Sequence, residues 1–286
     1  MGKYILKNPK SFNLEHIFEC GQCFRWNKQE DGSYTGIFKE NVLNVKQEKN
    51  DFIFRGICNG DIKHIIEEYF DLNRDYEQMK TKLSKIDESM ATSIKYGEGI
   101  SLLNQDLWET VISFIISANN NIPRIKGIIE RLSAKFGKEI IFEGKSYYTF
   151  PTPEELKNVT VEDYRKLGLG FRDVRLYETV HMVLEGKVDL EKMHNNTDTL
   201  EVREQLLSLS GVGPKVADCI LLFSTLKRLE VFPIDVWVRR VMNELYIKNK
   251  DENKVNKKEI ERLANEKFGN LAGIAQQYLF YWKREA

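Results

Sequence analysis

The sequence predicts an α+β protein. An N-terminal antiparallel β-sheet domain with a few helices spans 1–98, and a mainly α-helical region spans 99–286. Three observations carry this reading. Short runs rich in aromatic and β-branched residues, separated by turn pairs, occupy only the start of the chain. Apolar residues then recur at helical spacing almost to the C-terminus. Within 198–224 two such helical segments are joined by Gly211-Val212-Gly213-Pro214, which makes a helix–hairpin–helix.

In chain order, Cys23 to Trp26, Tyr34 to Phe38, Val42 to Val45 and Asp51 to Phe54 are strand candidates. Asp31-Gly32, Glu40-Asn41 and Asn50-Asp51 supply the turns of an antiparallel meander. Asp61 caps a helix carrying Ile62, Ile65, Ile66, Tyr69 and Phe70. Leu107 to Ile116 has little polar face and is expected to be buried. Asn119-Asn120-Asn121 breaks it, and Pro123 opens a helix with Ile125, Ile128, Ile129 and Leu132 on one side. Tyr147 to Phe150 fit a short strand pair, and Thr152 and Glu155 fit a capping box around Pro153. Leu167 to Arg172 is a glycine-rich loop between helices. Segments 174–184, 257–267 and 271–283 complete the helical set, with the lysine-rich stretch Lys248 to Lys258 as a solvated loop and helix start.

The hairpin is the chemical centre. Asp198 is a candidate N-cap and Glu201 completes a capping box, ahead of apolar Leu200, Val202, Leu206, Leu207 and Leu209. Gly211 and Gly213 end that helix in a tight turn, where positive φ costs glycine little. Pro214 suits the first position of a second helix. The hairpin N–H groups and that helix N-terminus form a concave, partly positive site suited to phosphate. Lys215 lies in the first turn, where the helix dipole and burial both disfavour its ammonium form. A lowered pKa and a nucleophilic amine are therefore expected. Asp235, after Pro233 and before Val236 to Val241, is expected to cap a further helix and face Lys215 across a cleft.

Charge and composition narrow the class. Basic and acidic residues balance at 43 each, which argues against a protein that coats nucleic acid but leaves room for a local basic face. No apolar stretch approaches the ~20 residues of a membrane span, and Lys7 and Lys10 interrupt any secretory signal. Four cysteines, Cys20, Cys23, Cys58 and Cys219, fit reduced thiols in a cytoplasmic protein.

Leu209 to Lys215 followed by Pro233-Ile234-Asp235 resembles the helix–hairpin–helix, Gly/Pro-rich loop and aspartate signature of the base-excision DNA glycosylases. Gly21 to Trp26, Asn119 to Ile122, Gly168 to Arg172, Lys215 to Cys219 and Gly273 to Gln276 narrow the resemblance to the bifunctional 8-oxoguanine DNA glycosylase/AP lyases. It extends over nearly the whole chain. The implied fold is an N-terminal antiparallel β domain on a helical helix–hairpin–helix glycosylase core. The implied activity is excision of 8-oxoguanine from duplex DNA by base flipping, a lysine Schiff base and β-elimination.

The implied roles attach to single positions. Lys215 would attack C1′, and Asp235 would stabilise the cationic sugar. Gln276 would read the Watson–Crick edge of the flipped base, Phe280 and Cys219 would sandwich it, and the Gly21 carbonyl would accept the N7 proton that 8-oxoguanine has and guanine lacks. Asn119 would fill the vacated stack, Arg124 and Arg172 would read the orphaned cytosine, and Phe171 would wedge beside it. Gly211, Gly213 and Trp237 would contact DNA. The carbonyls of Leu207, Leu209 and Val212 would bind a structural monovalent or divalent cation bridging to phosphate. No cofactor is implied for catalysis. The implied partner is double-stranded DNA carrying 8-oxoguanine, met by a monomer in the cytoplasm or, in a prokaryote, the nucleoid. Two positions depart from the better-known eukaryotic pattern: Phe171 stands where tyrosine is found, and Trp237 where histidine is usual.

Alternatives remain at this stage. Relatives acting on oxidised pyrimidines or adenine mispairs carry a four-cysteine iron–sulfur loop near the C-terminus. Here the last cysteine is Cys219, so no iron–sulfur cluster is expected. Alkylbase glycosylases lack the lysine. A non-catalytic helix–hairpin–helix DNA-binding protein would need neither Lys215 nor Asp235. Cys20-x-x-Cys23 as half a zinc site lacks a second ligand pair, so two buried thiols are expected instead.

Overall fold

The alternating runs at the start of the chain build one five-stranded antiparallel sheet. The structure, a computed structural model, describes residues 1–249, 251 and 255–285. The strands β1 (Gly2–Leu6), β2 (Trp26–Lys28), β3 (Tyr34–Phe38), β4 (Asn41–Glu48) and β5 (Asp51–Ile57) lie in the order β1-β5-β4-β3-β2. The register Gly36↔Leu43 and Val45↔Phe54 places Tyr34, Leu43, Val45, Phe52 and Phe54 in one core. Helices α1 (Leu14–Phe18) and α2 (Ile62–Tyr69) cover that core. Phe18 stacks on Trp26 at 4.2 Å, and the Trp26 indole N–H donates to the Tyr69 hydroxyl at 3.0 Å. Each large side chain buried in this way contributes about 1.5–3 kcal/mol.

Two strand expectations need correction. Cys23 to Arg25 are not part of a strand; β2 begins only at Trp26. Cys23 packs in the sheet core, Phe24 in the helical core, and Arg25 donates to the Tyr148 carbonyl at 2.6 Å. Their continuous burial reflects a chain crossing between two cores, not a pleat. The edge strand β1 pairs with β5 from Gly2↔Gly56 to Leu6↔Phe52 and gave no signal beyond a short mixed run.

The helical half is built around α5 (Leu107–Ser117), buried from Leu107 to Ile116 except at Glu109. Asn121 caps α6 (Ile122–Phe136), accepting from the Arg124 N–H at 3.0 Å. The strand pair is β6 (Glu139–Phe142) with β7 (Lys145–Tyr148). Thr152 and Glu155 exchange the capping-box bonds, but no helix follows. Three-residue turns bury Leu156 and Val159 on one side instead. The chain continues through α7 (Val161–Lys166), a single 3₁₀ turn over Gly170–Arg172, α8 (Asp173–Leu184) and α9 (Leu190–Asn195). Then come α10 (Thr199–Leu207), α11 (Pro214–Phe223), α12 (Val236–Met242), α13 (Lys257–Phe268) and α14 (Ala272–Glu285). Asn256 caps α13, whereas residues 250 and 252–254 of the lysine-rich stretch lie outside the described residues. Helices α3 (Tyr76–Ser84) and α4 (Glu88–Tyr96) place Leu83, Met90 and Ile94 in this same helical core. No described helix is long and apolar enough to cross a membrane.

Gln22 stitches the two cores together. Its fully buried amide donates to the carbonyls of Ile17 at 2.8 Å and Ser101 at 2.9 Å, and accepts from the Leu103 N–H at 2.9 Å. Gln105 closes the seam, donating to the carbonyls of Gln22 and Phe223.

Candidate active site

Two helix N-termini carry the candidate catalytic pair, Lys215 at the start of α11 and Asp235 as the cap of α12. Gly211, at φ +84°, turns the chain between α10 and α11, and the Val212 N–H returns to the Leu209 carbonyl at 3.1 Å. Gly213 does not need positive φ. It sits extended at φ −91° as the N-cap of α11, so the expectation of two left-handed glycines holds for one of them. Pro214 occupies the first helical turn, and no side chain caps the helix. Its leading N–H groups are thus left without a side-chain acceptor, which suits a phosphate oxygen. The capping box at α10 is only half made. Asp198 accepts from the N–H groups of Leu200 and Glu201, but its own N–H is already given to the Asn196 side chain at 2.8 Å, leaving Glu201 nothing to reach back to.

Lys215 and Cys219 are one helical turn apart on α11 and share a face. Lys215 is half-buried, with Nζ 5.4 Å from the centre of the Phe114 ring. Asp235 caps α12, accepting from the Val238 N–H at 2.8 Å. Both charged groups act on the same buried thiol. Burial pushes Cys219 up to about 11, Lys215 pulls it down by charge and hydrogen bonding, and Asp235 raises it. The lysine and the aspartate thus both lie within electrostatic reach of the thiol.

The neighbouring wall comes from α14 and the segment Cys20-Gly21. A Cβ built on Gly21 would lie 3.5 Å from the Phe280 ring and 3.3 Å from the Arg284 guanidinium. The Arg284 guanidinium lies 5.1 Å from the centre of the Phe280 ring and donates to the Glu19 carbonyl. Gln277 donates to the Cys20 carbonyl at 2.6 Å. The chain leading into Gly21 is thereby held beside Phe280. Gln276, 5% exposed, keeps its side-chain oxygen buried with no hydrogen-bond donor. Buried acceptors of this kind call for a partner from a ligand or water. The start of α14 is pinned where Gly273 donates to the Leu229 carbonyl at 2.7 Å, and a Cβ there would sit 3.0 Å from the Val231 carbonyl.

On the rim, Asn119 is exposed at φ +52°, and Phe171 is 55% exposed. Arg124 is exposed and donates to the Gly168 carbonyl at 3.2 Å. Arg172 is 2% exposed and donates four bonds to the carbonyls of Ala118, Asn119 and Leu169. It ties the Asn119 turn to the Phe171 loop and retains one free guanidinium N–H. Trp237 is 45% exposed beside Arg240, and its neighbour Val236 is 63% exposed.

Sequence reasoning missed three participants. Phe114 floors the site between Lys215 and Phe24, whose ring is 5.6 Å away. Gln277 and Arg284 hold the Gly21 segment through backbone carbonyls. Two adjacent glutamines among the otherwise apolar residues 272–282 were the one available signal.

Comparison with known proteins gives concordant findings. Residues 4–111 match the model of the 8-oxoguanine DNA glycosylase N-terminal domain. Residues 112–269 match that of the HhH-GPD superfamily base excision DNA repair proteins. The chain is 33% identical to a probable N-glycosylase/DNA lyase of Methanothermobacter thermautotrophicus, over 79% of this chain and 76% of the relative. It is 30% identical to the N-glycosylase/DNA lyase of Saccharomyces cerevisiae, over 96% of this chain and 84% of the relative. The structure superposes with TM-score 0.92 on Clostridium acetobutylicum 8-oxoguanine glycosylase/lyase in complex with double-stranded DNA containing cytosine opposite 8-oxoguanine. That neighbour is 44% identical, covering 98% of this chain and 94% of that one.

Proposed function

The chain belongs to the HhH-GPD superfamily of base excision DNA repair proteins, as an 8-oxoguanine DNA glycosylase/AP lyase, and we propose that Lys215 and Asp235 carry its chemistry. The observation that supports this is the convergence of the two on Cys219, beside a buried oxygen of Gln276 that lacks a donor. The Lys215 amine attacks C1′ of the flipped nucleotide, and the bond from C1′ to the base breaks, with its electron pair leaving on the base. The sugar ring opens to a Schiff base. Loss of a C2′ proton then expels the 3′ phosphate by β-elimination. Asp235 places negative charge where the sugar becomes positive, and preorganised charge of this kind is the larger part of many rate enhancements.

The base lies between Cys219 and Phe280, with Gln276 on its Watson–Crick edge. The Gly21 carbonyl accepts from N7–H. Guanine, with an unprotonated N7, would bring acceptor against acceptor in a buried site, which is a sharp filter. Asn119 and Phe171 fill and wedge the stack. Arg124 and the one free donor of Arg172 face the orphaned cytosine. Gly211, Gly213 and Trp237 contact the backbone of the DNA. The carbonyls of Leu207, Leu209 and Val212 are hard, neutral oxygens suited to a weakly held structural cation. Leu209 oxygen retains a lone pair after accepting from Val212. The protein acts as a monomer in the compartment that holds the DNA.

Borohydride trapping on a duplex with one 8-oxoguanine opposite cytosine tests the roles of the two residues. A covalent adduct that requires the lesion and vanishes in Lys215→Gln is expected. Asp235→Asn should slow trapping by ~100-fold or more, since removing one charge stabiliser typically costs that much. An adduct that persists in Lys215→Gln would move the nucleophile elsewhere.

A further inference from the structure

The helix that follows the wedge loop carries a cation that the assigned roles leave unused. Arg175, Glu178 and Thr179 stand at i, i+3 and i+4 on α8 and so share one face. That face meets the hairpin. Thr179 donates to the Ser210 carbonyl at 2.9 Å, and the Ser210 hydroxyl donates to Glu178 at 2.5 Å. A Cβ on Gly211 would lie 3.0 Å from Cδ and 3.1 Å from Cβ of Arg175. The stem of Arg175 is thus laid across the hairpin turn. Its guanidinium reaches the other way, 5.1 Å from the centre of the Phe171 ring, whose neighbour on the same ring is the Arg172 guanidinium at 4.2 Å.

Arg175 is exposed and, among the described residues, makes no hydrogen bond and no ion pair. The nearby acids are committed: Asp173 to Arg165 at 2.8 Å, and Glu178 to Ser210. Arg124 and Arg175 together oppose the charge on Arg172, whose proton affinity is lowered first by burial and then by those two neighbours. In a chain with no net charge, the exposed guanidiniums of Arg124 and Arg175, beside the buried Arg172 whose charge they oppose, form a preorganised anion site. Their planar forks suit phosphate oxygens better than a lysine would.

We propose that Arg175 binds a backbone phosphate of the strand opposite the lesion, linking the hairpin that grips the damaged strand to the wedge that enters the stack. The proposal rests on the glycosylase reading above. The stem position fixes the distance between the two grips, and the guanidinium points to the side Phe171 faces. A phosphate there would also relieve the repulsion among the three arginines.

The test measures duplex affinity against salt for the full chain, using an 8-oxoguanine:cytosine duplex. For Arg175→Gln, binding about tenfold weaker at moderate salt is expected, with the slope of log K against log salt shallower by about 0.9. Arg175→Lys should keep the slope, since it keeps the charge. A single methylphosphonate on the opposite strand should weaken the wild-type protein by a similar factor and add nothing to Arg175→Gln. An unchanged slope in Arg175→Gln, or methylphosphonate effects equal in both proteins at every position, would overturn the assignment and leave Arg175 as packing. Failure of the wild-type protein to bind the duplex would instead sink the glycosylase reading itself, before any variant is compared.

Discussion

Gln276 keeps an amide oxygen inside the protein with no donor to meet it. An unpaired buried acceptor costs about 1–3 kcal/mol, so this side chain is better suited to a bound base than to the protein alone. Gln276→Leu, which keeps the volume and removes the polar atoms, is expected to stabilise the protein by about 1 kcal/mol, visible as a rise in Tm. The same variant should lose most of its preference for 8-oxoguanine over guanine duplexes in competition binding. A fall in Tm with the preference retained would assign Gln276 to packing. At this scale, residues whose chemistry is carried by their own type are legible as candidates: Lys215 and Asp235 stand in an order and separation that few other roles require. Gln277 was not. Its partner is the Cys20 carbonyl, 257 positions away, and every residue except its own neighbours offers such a carbonyl. A contact to backbone leaves no mark on the partner's identity.

The hairpin was legible as an element because Gly, Pro and the flanking apolar periodicity agree about where one helix stops and the next begins. Its internal asymmetry was not, since two glycines look alike in sequence while only Gly211 adopts positive φ. This gives a paired expectation. Gly211→Ala forces a side chain into the left-handed region and against the Arg175 stem, costing about 1–2 kcal/mol, and should weaken duplex binding. Gly213→Ala, extended and with open space around the new methyl group, should leave stability within about 0.5 kcal/mol of wild type. Thermal denaturation of the two variants side by side separates them; equal losses would contradict the geometry of the turn. The segment Cys23 to Arg25 teaches the converse. Continuous burial there imitates a strand, yet successive side chains enter different cores, and pattern alone does not say how many cores a run of apolar residues serves.

Across the whole molecule, the junction of sheet and helices holds a carboxyl that resists ionisation. Loss of hydration pushes Glu109 up to about 7 from an ordinary 4.5, with Arg25 pulling the other way. The folded protein therefore binds this proton more tightly than the unfolded chain. Stability falls as pH rises above the unfolded value, and the loss is complete above about 7. Glu109→Gln should match wild type near pH 4 and exceed it by about 2 kcal/mol near pH 9; denaturant titration at the two pH values checks this, and a pH-independent difference would count against it. Gly273 acts at the same scale. The close approach of its backbone to the Val231 carbonyl sets where α14 starts, and α14 carries Gln276 and Phe280, whereas Cys219 rides on α11. Under the proposed sandwich of the base by Cys219 and Phe280, the gap between them is gauged by a backbone contact that belongs to neither. On that proposal a side chain at this glycine would push α14 off the Val231 carbonyl and so change the width of the pocket from outside it.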